Sequence, residues 1–124
     1  MKVKCVQILD EDTGDILENS SWLSIGREYH VLSVNMDDGS PLKFQLIGDD
    51  GQSPAYHDAN QFEVVCNEIP EDWIIDFVSK SYLRLFPKAW SEPGFWEAYF
   101  DGEPEAVNLF NKVKDNILKK EDVM

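Results

Sequence analysis

The sequence predicts an α+β fold: five short antiparallel strands over residues 2–66, curled into a small, strongly bent barrel, then two or three packed helices. Three observations carry this. Short runs rich in Val, Ile, Phe and Tyr alternate with turn-forming residues in the first half. Two of those turns are Asp-Gly pairs between apolar runs, a strong hairpin signal. After Asn67 the apolar residues recur at helical spacings behind Pro, Ser and acidic starts.

Residues 2–9 (KVKCVQIL) read as the first strand. Asp10 to Ser21 is polar and contains Thr13-Gly14, so it reads as a long loop. Residues 28–36 (EYHVLSVNM) and 42–48 (LKFQLIG) form the second and third strands around Asp37-Asp38-Gly39-Ser40. Asp49-Asp50-Gly51-Gln52 is a second such turn. A short strand at Ala55-Tyr56-His57 and a last one at 62–66 (FEVVC) complete the set. Such a barrel can bring its first and last strands together, making Cys5 and Cys66 neighbours as two buried thiols.

Pro70-Glu71-Asp72 suits a helix start, because acids favour the positive end of the helix dipole. Trp73, Ile74, Phe77 and Val78 then give an amphipathic stripe, ending by Pro87. Ser91 reads as the cap of a second helix, with Pro93 in its first turn. Asp101-Gly102 breaks it. Glu103-Pro104-Glu105 opens a third, whose Val107, Phe110, Val113 and Ile117 share one face. Glu121 to Met124 reads as a frayed tail. The expected organisation is a barrel over 1–69 and a helical extension over 70–124, forming one compact unit.

The 124-residue chain carries 24 acidic and 11 basic residues, a formal charge of −13. Residues 1–70 hold 13 acids against 4 bases, and residues 71–124 hold 11 against 7. Such a field repels nucleic acid and anionic lipid and speeds encounter with basic proteins. Solubility is the simpler reading of that charge, and an acidic binding surface the functional one. No apolar run reaches the ~18 residues of a membrane span, and no secretory signal follows Met1. Two unpaired cysteines suit a reducing cytoplasm.

Catalytic signatures are not visible. His30 and His57 are the two histidines, read as half-exposed strand residues, and they lack the spacing of metal ligands. Cys66 and His57 lack a third group to orient them as nucleophile and base. The acids Asp10, Glu11, Asp12, Asp15 and Glu18, and the pairs Asp37-Asp38 and Asp49-Asp50, sit where turn chemistry alone explains an Asp. Loop 10–15 has neither the spacing nor the closing Glu of a calcium loop. Trp73, Trp90 and Trp96 read as glue between helices and barrel. Trp22, at the end of the polar loop, is the best exposed aromatic anchor.

The segment Trp22-Leu23-Ser24-Ile25-Gly26-Arg27-Glu28-Tyr29-His30-Val31-Leu32 resembles the L-x-x-G-x-x-Y-x-V-L pattern of SH3-like barrel domains. Phe44 to Gly51, Pro54-Ala55-Tyr56 and Phe62 to Val65 look like the remaining strands of that barrel. Tyr29, Tyr56 and Trp22 do not match the polyproline groove of peptide-binding members. With the helical, Trp-rich PKAWSEPGFWEAYFDGEPEA, the chain is similar to small stand-alone bacterial proteins of the toxin-immunity type. The resemblance implies a non-catalytic inhibitor that binds a basic toxin domain and needs no cofactor. The expected contacts are Asp10, Glu11, Asp12, Asp15, Glu18, Trp22, Asp37, Asp38, Asp49 and Asp50. The alternative is an SH3-like adaptor or regulatory domain that binds a peptide or a protein subunit.

Overall fold

The computed structural model describes residues 1–122. They form ten strands in three sheets and two α-helices. Strands β1 (Lys2–Cys5), β4 (Glu28–His30) and β8 (Phe62–Cys66) make one sheet in the order β4-β1-β8. Strands β5 (Ser33–Asp37), β6 (Lys43–Ile47), β7 (Pro54–Asp58), β9 (Trp73–Ser79) and β10 (Tyr82–Pro87) make the second, in the order β7-β6-β5-β10-β9. Strands β2 (Ile8–Leu9) and β3 (Ile16–Leu17) form a small separate hairpin. Helices α1 (Phe95–Phe100) and α2 (Pro104–Asp122) follow.

No barrel closes, which corrects the expected five-stranded SH3-like architecture. The run 28–36 is divided between two sheets. Its first part, β4, pairs with β1, and its second part, β5, pairs with β6 and β10. Val31 and Leu32, at the break, are both buried but belong to different cores. The edge of β5 that would have to close a barrel is occupied by β10. The resulting β-sandwich has free edges at β4, β7, β8 and β9.

The second correction is residues 73–87, where the expected helix is a β-hairpin, β9–β10. Spacings of i, i+1, i+4 and i+5 do not separate the two periods. In the strand reading Trp73, Ile75 and Phe77 share one face, and Ile74 and Asp76 share the other. Three β-branched residues, Ile74, Ile75 and Val78, restrict χ1 and favour the extended chain. Pairing with β5 then decides for the hairpin. The helical part is therefore two helices confined to the C-terminal end. The first is capped by Gly94 at φ +80°, where Ser91 was expected to cap. The third predicted helix is present as α2.

Both Asp-Gly turns form as expected, one between β5 and β6 and the other between β6 and β7. β1 does lie beside β8, but antiparallel pairing sets Cys5 opposite Phe62 and Cys66 opposite Lys2. The thiols are therefore at opposite ends of the pair, and both are free.

Two hydrophobic cores hold the fold. The first lies between the two sheets around Val3, Tyr29, Val34, Phe44, Leu46 and Trp73. The second joins the helices to the five-stranded sheet through Leu32, Phe86, Trp90, Phe95, Phe110 and Ile117. Trp90 stacks on Phe110 at 5.0 Å, and Trp96 meets Trp90 edge-on at 5.5 Å. Burying an aromatic of this size contributes ~1.5–3 kcal/mol, so these side chains are what fix the helices in place. Helix α2 runs through Asp122, and Glu121 is buried against the Met1 amine at 2.9 Å. The frayed tail expected from Glu121 is thus helical as far as Asp122, and its last two positions lie outside the described residues.

Candidate functional site: an acidic recess beside Trp22

The polar stretch 10–15 is a turn tied to its own backbone. The Asp10 amide donates to the Asp15 carbonyl at 2.8 Å, and the Gly14 amide donates to the Asp10 carbonyl at 2.9 Å. Asp10 Oδ1 accepts from the amides of Asp12 (2.8 Å) and Thr13 (2.9 Å). Those bonds, Thr13's first, hold the Asp10 carboxyl below its ordinary value. Gly14 supplies the positive φ, +76°, that the turn requires. The Leu9 amide donates to Gln61 Oε1 at 3.0 Å and ties the hairpin to the body.

Trp22 reaches the same place from the far end of the loop. Its amide donates to Ser20 Oγ, and its carbonyl accepts from the Asp49 amide at 2.8 Å. Gly48 permits that approach, since a Cβ there would stand 2.5 Å from the Trp22 carbonyl oxygen. The indole itself is 48 % exposed.

Between hairpin and tryptophan lies a recess of about 290 Å³. Asp10, Glu11 and Asp12 form its acidic side, Leu9 and Leu17 an apolar wall, Trp22 its aromatic wall and His57 one buried wall. None of the three acids makes an ion pair among the described residues. His57 is only 8 % exposed, and its Nε2 has no hydrogen-bond partner. Burial pushes its pKa down from 6.5, against the opposing pull of Glu11 and Asp58. The recess thus combines unneutralised carboxylates and an aromatic face beside a buried imidazole. Such a lining suits the head and apolar stem of a Lys or Arg side chain.

The other expected contacts do not converge here. Asp15 and Glu18 are exposed outside the recess lining. Asp49 is taken up inside the protein. It accepts from Ser24 Oγ (2.6 Å), Tyr29 OH (2.7 Å) and Arg27 Nη1 (2.9 Å). Burial opposes its ionisation, but Ser24, Tyr29 and Arg27 outweigh it and hold the carboxyl below its ordinary value. Asp50 caps its own turn by accepting from the amides of Gln52 and Ser53. Asp37 and Asp38 lie outside the recess lining, at the end of β6 opposite Asp49 and Asp50 and a strand length of about 17 Å from them, and the Asp38 amide donates to the Ser81 carbonyl.

Sequence reading missed His57, which pairs opposite buried Phe44 and so faces the core side of the sheet. Its alternation with the β6 residues was the available signal. His30 is half-buried, with Nδ1 3.3 Å from Glu121 and Nε2 3.2 Å from Asp122. Among the described residues no three His, Cys, Asp or Glu side chains converge to hold a metal ion. Among the described residues no helix is long and apolar enough to cross a membrane.

Comparison with protein-family models, with curated proteins and with solved structures found no match.

Proposed function

We propose that this chain is a non-catalytic binding protein, an immunity-type inhibitor that neutralises a basic toxin domain in the bacterial cytoplasm. The recess receives a Lys or Arg side chain of that partner. One observation carries the reading: Asp10, Glu11 and Asp12, all without ion-pair partners, border a recess walled by half-exposed Trp22 and by His57 with its unpartnered Nε2. A cation entering there meets carboxylates and an aromatic face together. The formal charge of −13 draws a basic partner in from a distance. The adaptor alternative depended on a barrel groove and has no observation in its favour.

The test is co-expression with the product of the adjacent gene, a basic toxin domain under this reading, with rescue of growth as the readout. Wild-type protein is expected to protect. Glu11→Gln with Asp12→Asn should slow association and flatten its salt dependence, and Trp22→Ala should speed dissociation. Full protection by the triple variant, with an unchanged salt dependence, overturns the reading.

A further inference from the structure

The five-stranded sheet ends at β9, which pairs with β10 alone. Its outer side carries the Trp73 carbonyl and the N–H and C=O groups of Ile75 and Phe77, while the Trp73 amide donates to the Pro70 carbonyl at 3.2 Å. Proteins blunt such edges with Pro, Lys, bulges, short strands or a covering element. The other edges of this fold show those devices. β4 has only three residues, and β7 opens with Pro54. β8 is bulged at Val65, where Lys2 faces Cys66 and Val3 faces Val64. β9 is regular from Trp73 to Phe77 and contains neither Pro nor Lys. Its bulge comes only at Val78, where the register passes from Phe77 opposite Leu83 to Ser79 opposite Tyr82.

The edge is also apolar where it should be polar. Phe77, Leu83 and Met36 form one cross-strand row. Phe77 is 71 % exposed, Ile75 59 % and Met36 50 %. These side chains continue the face that is buried at Trp73, Val34 and Phe44, beyond the point where the three-stranded sheet covers it. A contiguous exposed patch of this kind marks an interaction surface.

Charge says what covers it. Glu71 and Asp72 precede the strand, and Asp76 lies within it. Asp37 and Asp38 share a depression with Phe77 and Met36. The nearby cations are Lys80, Lys88 and Arg84, fewer than the five acids, and Arg84 is already bound to Asp76 at 2.9 Å. A second copy of the chain would set acid against acid, at −13 each. The complement is a strand whose residues alternate between apolar and basic.

We propose that β9 is a strand-addition site, completed by an extended segment of a basic partner protein that hydrogen-bonds from the Trp73 carbonyl to Phe77. Its apolar residues cover Ile75 and Phe77. Its Lys or Arg residues line up beside Asp76 and the flanking acids. This surface is independent of the recess beside Trp22. The recess lies at the β7 edge, and four strand spacings, about 19 Å, separate the two edges.

The experiment is an amide titration of the whole 15N-labelled protein with a short peptide alternating lysine and valine. The expected result is shifted, exchange-slowed amides along β9 and its neighbours, separate from any response of the recess beside Trp22. Phe77→Lys, at a solvent-facing position, should weaken binding at least tenfold, whereas Glu105→Gln, an exposed acid of α2 outside both surfaces, should leave it unchanged. The same peptide N-methylated at alternate residues should not bind, because it cannot complete the ladder. The proposal falls if the β9 amides do not respond or if the N-methylated peptide binds equally well. It falls equally if Glu105→Gln weakens binding as much as Phe77→Lys does, which would mean general charge attraction. A free protein that sediments as a dimer with β9 already protected would assign the edge to a second copy and overturn it too.

Discussion

Removing the Asp49 carboxylate tests the cross-link that holds the Trp22 loop against the sheet. Three donors converge on it, and they are not equal. Tyr29 is 4 % exposed, and its hydroxyl has no alternative acceptor among its hydrogen bonds. A hydrogen bond to a charged acceptor contributes ~1.5–3 kcal/mol, and stranding the buried donor lies in the same range. Arg27 and Ser24 are exposed, and their bonds add ~0.2–1 kcal/mol. Asp49→Ala should therefore destabilise the fold by about 3 kcal/mol. With an unfolding entropy of ~2.1 cal/mol/K per residue, that lowers Tm by about 12 °C, read by calorimetry. The effect should be shared with Tyr29. In the cycle of Asp49→Ala and Tyr29→Phe, the double variant should lose less than the sum of the two single variants.

The same network predicts both ends of the pH profile. The Asp49 carboxyl titrates below 3.8 in the folded protein, so its contribution is complete above pH 3.8 and is lost as pH falls through the folded value. The stability gap between wild type and Asp49→Asn should thus be full at pH 7 and close under acid. Burial, and then the bond to Asp49, push the Tyr29 hydroxyl up to about 12. A raised pKa gives stability that is present below pH 10 and lost as pH rises toward 12. Tyr29→Phe should flatten that alkaline loss. An Asp49→Ala variant within ~0.5 kcal/mol of wild type, or a cycle that is strictly additive, would refute the cross-link.

Two further outcomes follow from the recess walls. Gly48→Ala forces a Cβ onto the Trp22 carbonyl oxygen and should destabilise by ~1–3 kcal/mol in urea unfolding, where an ordinary Gly-to-Ala change would stabilise. An unchanged midpoint would show that the loop yields freely there. His57 titrates below 6.5 in the fold because it is buried, so the unfolded chain takes up its proton first as pH falls. Wild type should lose stability on acidification from pH 6.5 down to the folded value, and His57→Gln should not. Parallel profiles for the two proteins would mean that the imidazole is hydrated.

Local chemistry was legible in the sequence, and long-range pairing was not. Asp37-Asp38-Gly39 and Asp49-Asp50-Gly51 form the turns they encode, because a turn is fixed by its own residues and their hydrogen bonds. Helix α2 follows its apolar face and lies close to its predicted bounds. Trp73 to Phe86 was misread for a nonlocal reason. Its apolar spacing fits helix and strand alike, and the edge of β5, nearly forty residues earlier, settles the choice. That one pairing also opened the expected barrel, since β10 took the edge needed for closure. The candidate site divides in the same way. Loop 10–12 and Trp22 could be picked out by polarity and isolation. His57 could not, because its burial depends on facing Phe44 across a strand pair.

That division explains why the acids do not act as one surface. Turn-forming Asp residues gather wherever strands reverse, and antiparallel strands reverse at both ends of a sheet. Charge counted along the chain therefore overstates what any partner meets at one place. Asp49 is consumed by Tyr29, Ser24 and Arg27, and Asp50 by its own turn. Asp37 and Asp38 lie outside the recess lining, against the apolar edge of β9. What remains at the recess is Asp10, Glu11 and Asp12, and of these Asp10 is committed to the backbone of its turn. Glu11 and Asp12 are the carboxylates free to move toward a cation. The effect of neutralising them measures the recess itself, whereas neutralising Asp49 measures the fold.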